Sequence, residues 1–189
     1  MFINLKKTLT AIDKCLSGGH PPDLKQLHKM YDLTFQLMSQ ILSVIYDQEA
    51  FGPPTGQELP PLAKQLSNGE TCDGVVTLTI QEPLPAMKHL SESVEEHWKA
   101  MIHTAIAEAA NLGPLPYFEK ALVEIEITTP RGTNNSRVWD TSNRAITVII
   151  NNLKGIFCRD DNMEHMAFSV VGRWGEEGAT VIRISHFDK

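Results

Sequence analysis

The chain is short of cysteine, and what it has is scattered. Cys15, Cys72 and Cys158 stand far apart, with no Cys-x-x-Cys pair among them. That argues against a zinc knuckle or a disulfide frame and for a reducing compartment. There is no apolar run long enough to span a bilayer. The opening stretch, "MFINLKKTLTAIDK", has charges scattered through it and no signal-peptide pattern. A cytoplasmic location with no membrane partner is therefore expected. Surplus positive charge is lacking too: 17 Lys and Arg stand against 23 Asp and Glu, for a formal net charge of -6. A protein that grips DNA over a broad face is usually more basic, so any nucleic-acid role must rest on a local patch. No Walker motif, GxGxxG, GxSxG or HExxH occurs, which argues against nucleotide-driven chemistry, serine-hydrolase chemistry and zincin chemistry. Internal repeats and low-complexity tracts are absent as well.

What is present is enough for one domain with a core and a small appendage: 189 residues, 42% of them hydrophobic. Residues 2–16 carry Leu5, Leu9, Ile12 and Leu16 at helical spacing. "SGGHPPD" stops that helix, Asp23 is placed to cap the next, and apolar positions from Leu24 to Ile45 continue it to about Gln48. This predicts a helical hairpin over residues 1–50 whose apolar stripe serves as core, dimer contact or the face for a protein partner. Residues 51–73 are rich in Pro and Gly and read as a linker or irregular arm. Residues 74–189 read as an α+β domain: a β-α-β-α-β-β order with helices on one face of a small mixed sheet. "VVTLTIQEP" is its first strand, a strong amphipathic helix runs up to Gly113, and "ALVEIEITTP" alternates cleanly. A short helix from about Ser142 carries Ile146, Ile149, Ile150 and Leu153 and is closed by Gly155. Two last strands are joined by "GEEG", which suits a hairpin turn.

Chemistry concentrates around the short helix. Between Pro130 and Asp161 there are five bases (Arg131, Arg137, Arg144, Lys154, Arg159) and three acids (Asp140, Asp160, Asp161), a local reversal within an acidic chain. Hydrolysing a phosphodiester calls for a divalent metal held by converging carboxylates, with cations to hold the backbone. Asp140 precedes the helix and Asp160 and Asp161 follow it, so the chain must fold back for the two ends to share a metal. The plainer alternative is that Asp140, Thr141 or Ser142 caps the helix and "RDDN" is a turn. Trp139 either covers the helix end or stacks on an unpaired base. Trp98 reads as core. Of the seven histidines, His97 and His103 do not share a helix face, and His165 and His186 lie on the last two strands.

On these residues the chain resembles the RusA family of Holliday-junction resolvases over about Gly74 to His186. In that family a segment of the form Asp-x-Asp-Asn-x-x-Lys leads into a helix with a Leu-x-Gly ending, followed by Asp-Asp. "WDTSNRAI", "NNLKGIF" and "RDDN" take those places here. The resemblance implies a homodimeric, magnesium-dependent endonuclease that recognises branched DNA, with two sites on one junction. It assigns catalytic roles to Asp140, Asn143, Arg144, Asp160 and Asp161, with Asp140, Asp160 and Asp161 holding magnesium. Arg131, Arg137, Trp139, Arg144, Lys154 and Arg159 would contact nucleic acid. The motif also departs from the family. Aligned on the Asp-Asp pair, the second family acid falls on Ser142 and the lysine on Ile146. Aligned on "NLKG", they fall on Asn143 and Thr147, and a further helix acid falls on Asn151. The family lysine is missing in either register, and Arg144, which stays protonated, replaces only its charge. A non-catalytic interaction module on a degenerate nuclease scaffold is the alternative.

Overall fold

The computed structural model describes residues 2–17, 21–51, 61–130 and 144–188. The chain divides into two compact units, one of residues 1–59 with 91–94 and one of residues 60–90 with 95–189.

The first unit holds α1 (Phe2–Leu16) and α2 (Leu24–Phe51), which pack on each other. Asp23 caps α2 as its position predicts, and the cap is reciprocal. The Gln26 amide donates to Asp23 Oδ1 at 2.7 Å, and the Asp23 amide donates to Gln26 Oε1 at 2.9 Å. Two of the donors that a helix start leaves unpaired are thereby satisfied. Between the helices, Thr8 Oγ1 donates to Gln40 Oε1 at 3.3 Å.

The second unit holds α3 (Leu62–Leu66), β1 (Ser67–Cys72), β2 (Val75–Ile80), α4 (Glu92–Leu112) from Glu95 onward, β3 (Ala121–Pro130), α5 (Ile146–Leu153), β4 (Met166–Gly175) and β5 (Ala179–His186). It is an α+β fold around a five-stranded mixed sheet in the order β1-β2-β5-β3-β4. The stretch expected as a linker differs. Leu62–Leu66 is helical, and Ser67–Cys72 pairs antiparallel with β2, Cys72 facing Val75. Asp73 and Gly74 between them have φ of 50° and 78°, the two left-handed residues of a tight hairpin turn.

A second difference concerns the end of the chain. "GEEG" does not join a hairpin: β5 pairs antiparallel with both β2 and β3, while β4 pairs parallel with β3 on its far side. Two parallel connections result, β2 to β3 through α4 and β3 to β4 through α5, and β5 is inserted between the first pair. Residues 176–178 carry the chain past the end of β3, from β4 on one side of it to the antiparallel β5 on the other.

Alternation sorts the sheet into rows. Gly69, Leu78, Ile182, Ile125 and Val170 are aligned across all five strands; Val76, Ile184, Val123 and Phe168 form the adjacent row. Val76, Leu78, Val123, Ile125, Ile182 and Ile184 are buried. Each such side chain contributes about 1.5–3 kcal/mol of burial. α4 buries Trp98, Met101, Ile102, Ala105 and Ala109. It comes so close to β1 that a Cβ on Gly69 would lie 1.8 Å from the Ala105 carbonyl oxygen. The opposite face of the sheet carries charge: Glu126 on β3 takes Arg173 at 3.2 Å and Arg183 at 3.7 Å.

Buried polar groups at the end of β2 are paired. Thr180 Oγ1 donates to the Glu82 carbonyl and accepts from the Leu84 amide, each at 2.8 Å. His97, buried, sits with Nε2 3.1 Å from Glu82 Oε1.

Candidate functional site

α5 is built by its apolar residues. Val148, Ile149, Ile150 and Leu153 are buried, and the helix is eight residues long, about 12 Å. It starts at Ile146, later than the expected Ser142, with Ala145 before it and no side-chain cap. Its start is stitched to the segment after β2: the Ala145 amide donates to the Pro85 carbonyl at 3.0 Å, and Arg144 bridges Ala86. Arg144 Nη1 donates to the Leu84 carbonyl at 2.7 Å.

The far end of α5 closes on Lys154 and then Gly155, whose φ is 78°. That is the left-handed residue a helix C-terminus favours. The Gly155 amide donates to the Cys158 carbonyl at 2.7 Å and the Phe118 amide to the Phe157 carbonyl at 2.7 Å. Phe157 and Cys158 are thus drawn into the core, where both are fully buried. Burial is also what pushes the Cys158 thiol up from its ordinary pKa.

The acidic pair follows at once. Asp160 Oδ1 accepts from the Asp161 amide at 2.9 Å, and Oδ2 accepts from Asn162 Nδ2 at 3.1 Å. These bonds, the Asp161 amide first, hold the Asp160 carboxyl below the usual range, with Lys154 adding to the effect. Asp161 Oδ2 lies 3.5 Å from Lys154 Nζ. Asn162 then leads the chain into β4: its carbonyl accepts from His165 and Met166 amides at 3.1 and 2.9 Å, and its Oδ1 from Glu164 at 3.0 Å.

The structure therefore gathers Lys154, Asp160 and Asp161 at the C-terminal end of α5, with exposed Arg159 adjoining. Arg144 stands at the other end of the helix. Arg131, Arg137, Trp139, Asp140 and Asn143 lie outside the described residues. Among the described residues, no three His, Cys, Asp or Glu side chains gather as a metal-holding group. Trp98 is core, as its stripe predicts. His165 and His186 are separated by β3: His165 Nδ1 meets the Glu119 carbonyl at 3.1 Å, and His186 Nδ1 meets Asp188 Oδ1 at 2.9 Å. His103 Nε2 meets Asn152 Oδ1 at 2.9 Å.

Sequence reasoning passed over Asn162 and the Glu82–Thr180–His97 group. Asn162 had a signal, since Asx residues hydrogen-bond the backbone a few residues on. The Glu82 group had none, because its members lie on separate elements. Among the described residues, no helix is long and apolar enough to cross a membrane.

No family model and no curated protein matches the chain. Among solved structures, it is similar to a protein of unknown function from Agrobacterium tumefaciens. That likeness is 14% identical with a TM-score of 0.33, over 83% of this chain and 99% of that one. A likeness of that strength carries no argument about function.

Proposed function

We propose that the sheet unit is a RusA-like domain that binds branched DNA, with a metal-dependent endodeoxyribonuclease site diverged from the family pattern. The observation that carries this reading is the turn after α5. Two adjacent carboxylates, Asp160 and Asp161, stand beside Lys154 and Arg159 on the parallel crossover from β3 to β4. The Asp160 carboxyl accepts from the Asp161 amide and the Asn162 side chain, which hold it below the usual range.

Carboxylate oxygens are the hard donors that magnesium takes. Asp160, Asp161 and Asp140 would hold the ion, which supplies polarisation of the phosphodiester and activation of water. Asn143 would complete the ligand set as a neutral oxygen donor. Arg144, always protonated, would stabilise charge on the phosphate without moving a proton. Lys154, Arg159, Arg131 and Arg137 would neutralise backbone phosphates, and Trp139 would stack on an unpaired base. A homodimer would bring two such sites to one junction. Incubating the protein with synthetic four-way junctions and magnesium or manganese tests this reading. Nicks are expected, falling by about a hundredfold in Asp161→Asn. An uncut junction, or cutting undiminished in that variant, contradicts the catalytic reading.

A second reading, a non-catalytic module on a degenerate nuclease scaffold, is favoured by a different observation. Asp160 has both oxygens bonded within its own turn and Asp161 is paired with Lys154. On this reading the helical hairpin is the protein-binding part, and Leu9, Leu16, Leu24, Leu27 and Tyr31 are exposed on it. Magnesium calorimetry separates the two. Binding heat that disappears in the Asp160→Asn, Asp161→Asn double variant favours the nuclease; no heat from either protein favours the module.

A further inference from the structure

The segment "EPLPA", Glu82 to Ala86, leaves β2 and belongs to no helix or strand, yet it touches both the start of β5 and the start of α5. Proline has no N–H and a fixed φ. With Pro83 and Pro85 on either side, Leu84 carries the one amide donor of residues 83–85. A strand ladder therefore cannot hold this strap, and a side chain takes its place. Thr180, fully buried at the start of β5, accepts from the Leu84 amide and donates to the Glu82 carbonyl, each at 2.8 Å. Gly178, two residues earlier, lets the strap lie close: a Cβ there would stand 2.7 Å from Pro83 Cδ.

The same strap anchors the start of α5. The Leu84 carbonyl accepts from Arg144 Nη1 at 2.7 Å, and the Pro85 carbonyl accepts from the Ala145 amide at 3.0 Å. Leu84 is thus bonded through its N–H to Thr180 and through its C=O to Arg144, with its side chain fully buried. A guanidinium holds five N–H donors in one rigid plane, so anchoring one of them orients the fork. An anchor is only as well placed as the residue that carries it. Packing alone does not call for threonine at position 180, since valine has nearly the same outline. The hydroxyl is used twice, as donor and as acceptor, and both bonds go to the strap.

We infer that Thr180 is a positioning residue for Arg144: its hydroxyl fixes Leu84, and the Leu84 carbonyl aims the guanidinium at the phosphate. The aiming rests on the DNA-binding reading above; the placement of the guanidinium does not. Thr180→Val removes both bonds and keeps the shape, whereas Thr180→Ser keeps the hydroxyl. Anisotropy with a synthetic four-way junction, repeated over a series of salt concentrations without divalent metal, reads the effect. Arg144→Ala should lower the salt slope by about one. Thr180→Val should weaken binding about threefold or more and move the slope toward the Arg144→Ala value. In the Arg144→Ala background it should change neither, because the two act as one unit. Thr180→Ser should restore both. Without DNA, the Arg144 Nε–H resonance should shift or broaden in Thr180→Val and keep its native position in Thr180→Ser.

A role in folding alone would lower the denaturation midpoint but leave the salt slope in place. Gly178→Ala, whose methyl meets the Pro83 ring, displaces the strap from another contact and carries the test if Thr180→Val does not fold. A slope that responds to Arg144→Ala but not to Thr180→Val overturns this inference alone. So do losses that add in the double variant, a Thr180→Ser protein no better than Thr180→Val, or an Arg144 resonance that ignores the hydroxyl. A slope indifferent to Arg144→Ala itself overturns the phosphate reading, and this inference with it.

Discussion

Lys154 Nζ lies 3.5 Å from Asp161 Oδ2, across the turn that carries the chain from α5 to β4. Both side chains are more than a third exposed, so the pair does little for the fold. Exposed ion pairs are worth about 0–1 kcal/mol. Lys154→Ala should therefore shift the urea midpoint by less than about 1 kcal/mol of stability. If Lys154 contacts a phosphate, the same substitution should reduce the salt dependence of DNA binding by about one unit of slope. A large loss of stability with unchanged salt dependence would contradict both statements.

Gly69 is the tightest point of the sheet unit. Its missing Cβ would meet the Ala105 carbonyl oxygen at 1.8 Å, and that oxygen belongs to the α4 backbone, which cannot rotate aside. Gly69→Ala should destabilise the unit by about 1–3 kcal/mol, as overpacking does. Denaturant unfolding checks it. An unchanged midpoint would mean that α4 does not lie against β1 in this way.

The Asp160 carboxyl is held below its ordinary pKa by the Asp161 amide and the Asn162 side chain. A depressed folded-state value means that its contribution is present above the unfolded pKa and is lost as pH falls through the folded one. Followed by NMR, the Asp161 amide resonance should titrate with a midpoint below that of an unstructured aspartate. A midpoint at or above the ordinary value would show that the turn does not hold the carboxylate.

Cys158 is fully buried, and burial raises its thiol pKa. The thiolate is the reactive form, so native Cys158 should resist iodoacetamide until the chain unfolds. Cys72 is exposed, and the Asp73 carboxylate beside it raises its thiol pKa. It should label in the native state, but more slowly than a free thiol. Mass spectrometry after timed labelling decides. Cys158 modified ahead of Cys72 would contradict the packing of the α5 to β4 connection.

What was legible follows the range of the interactions involved. α1 lies over residues 2–16 where its apolar spacing places it, and β3 follows the alternation of "ALVEIEITTP", because both patterns are local. β1 was illegible from composition: "SNGETC" has little intrinsic strand preference and is held by pairing with β2. Its one local signal was Asp73–Gly74, a hairpin dipeptide read as part of a linker. The insertion of β5 between β2 and β3 was illegible too. The turn chemistry of "GEEG" favours a hairpin, but the buried rows through Ile182 and Ile184 decide the pairing at long range. At the candidate site, the turn at Asp160 could be read from residue type. The Arg144 bond to the Leu84 carbonyl, sixty residues away in the chain, could not.

The most direct measurement is the affinity for a synthetic four-way junction against a linear duplex of the same sequence, by fluorescence anisotropy at fixed salt without divalent metal. A domain that recognises branched DNA should bind the junction about tenfold or more tightly. Arg159→Ala should weaken junction binding and lower its salt slope. Equal affinity for the two DNAs, or no binding to either at micromolar protein, would contradict the proposed function.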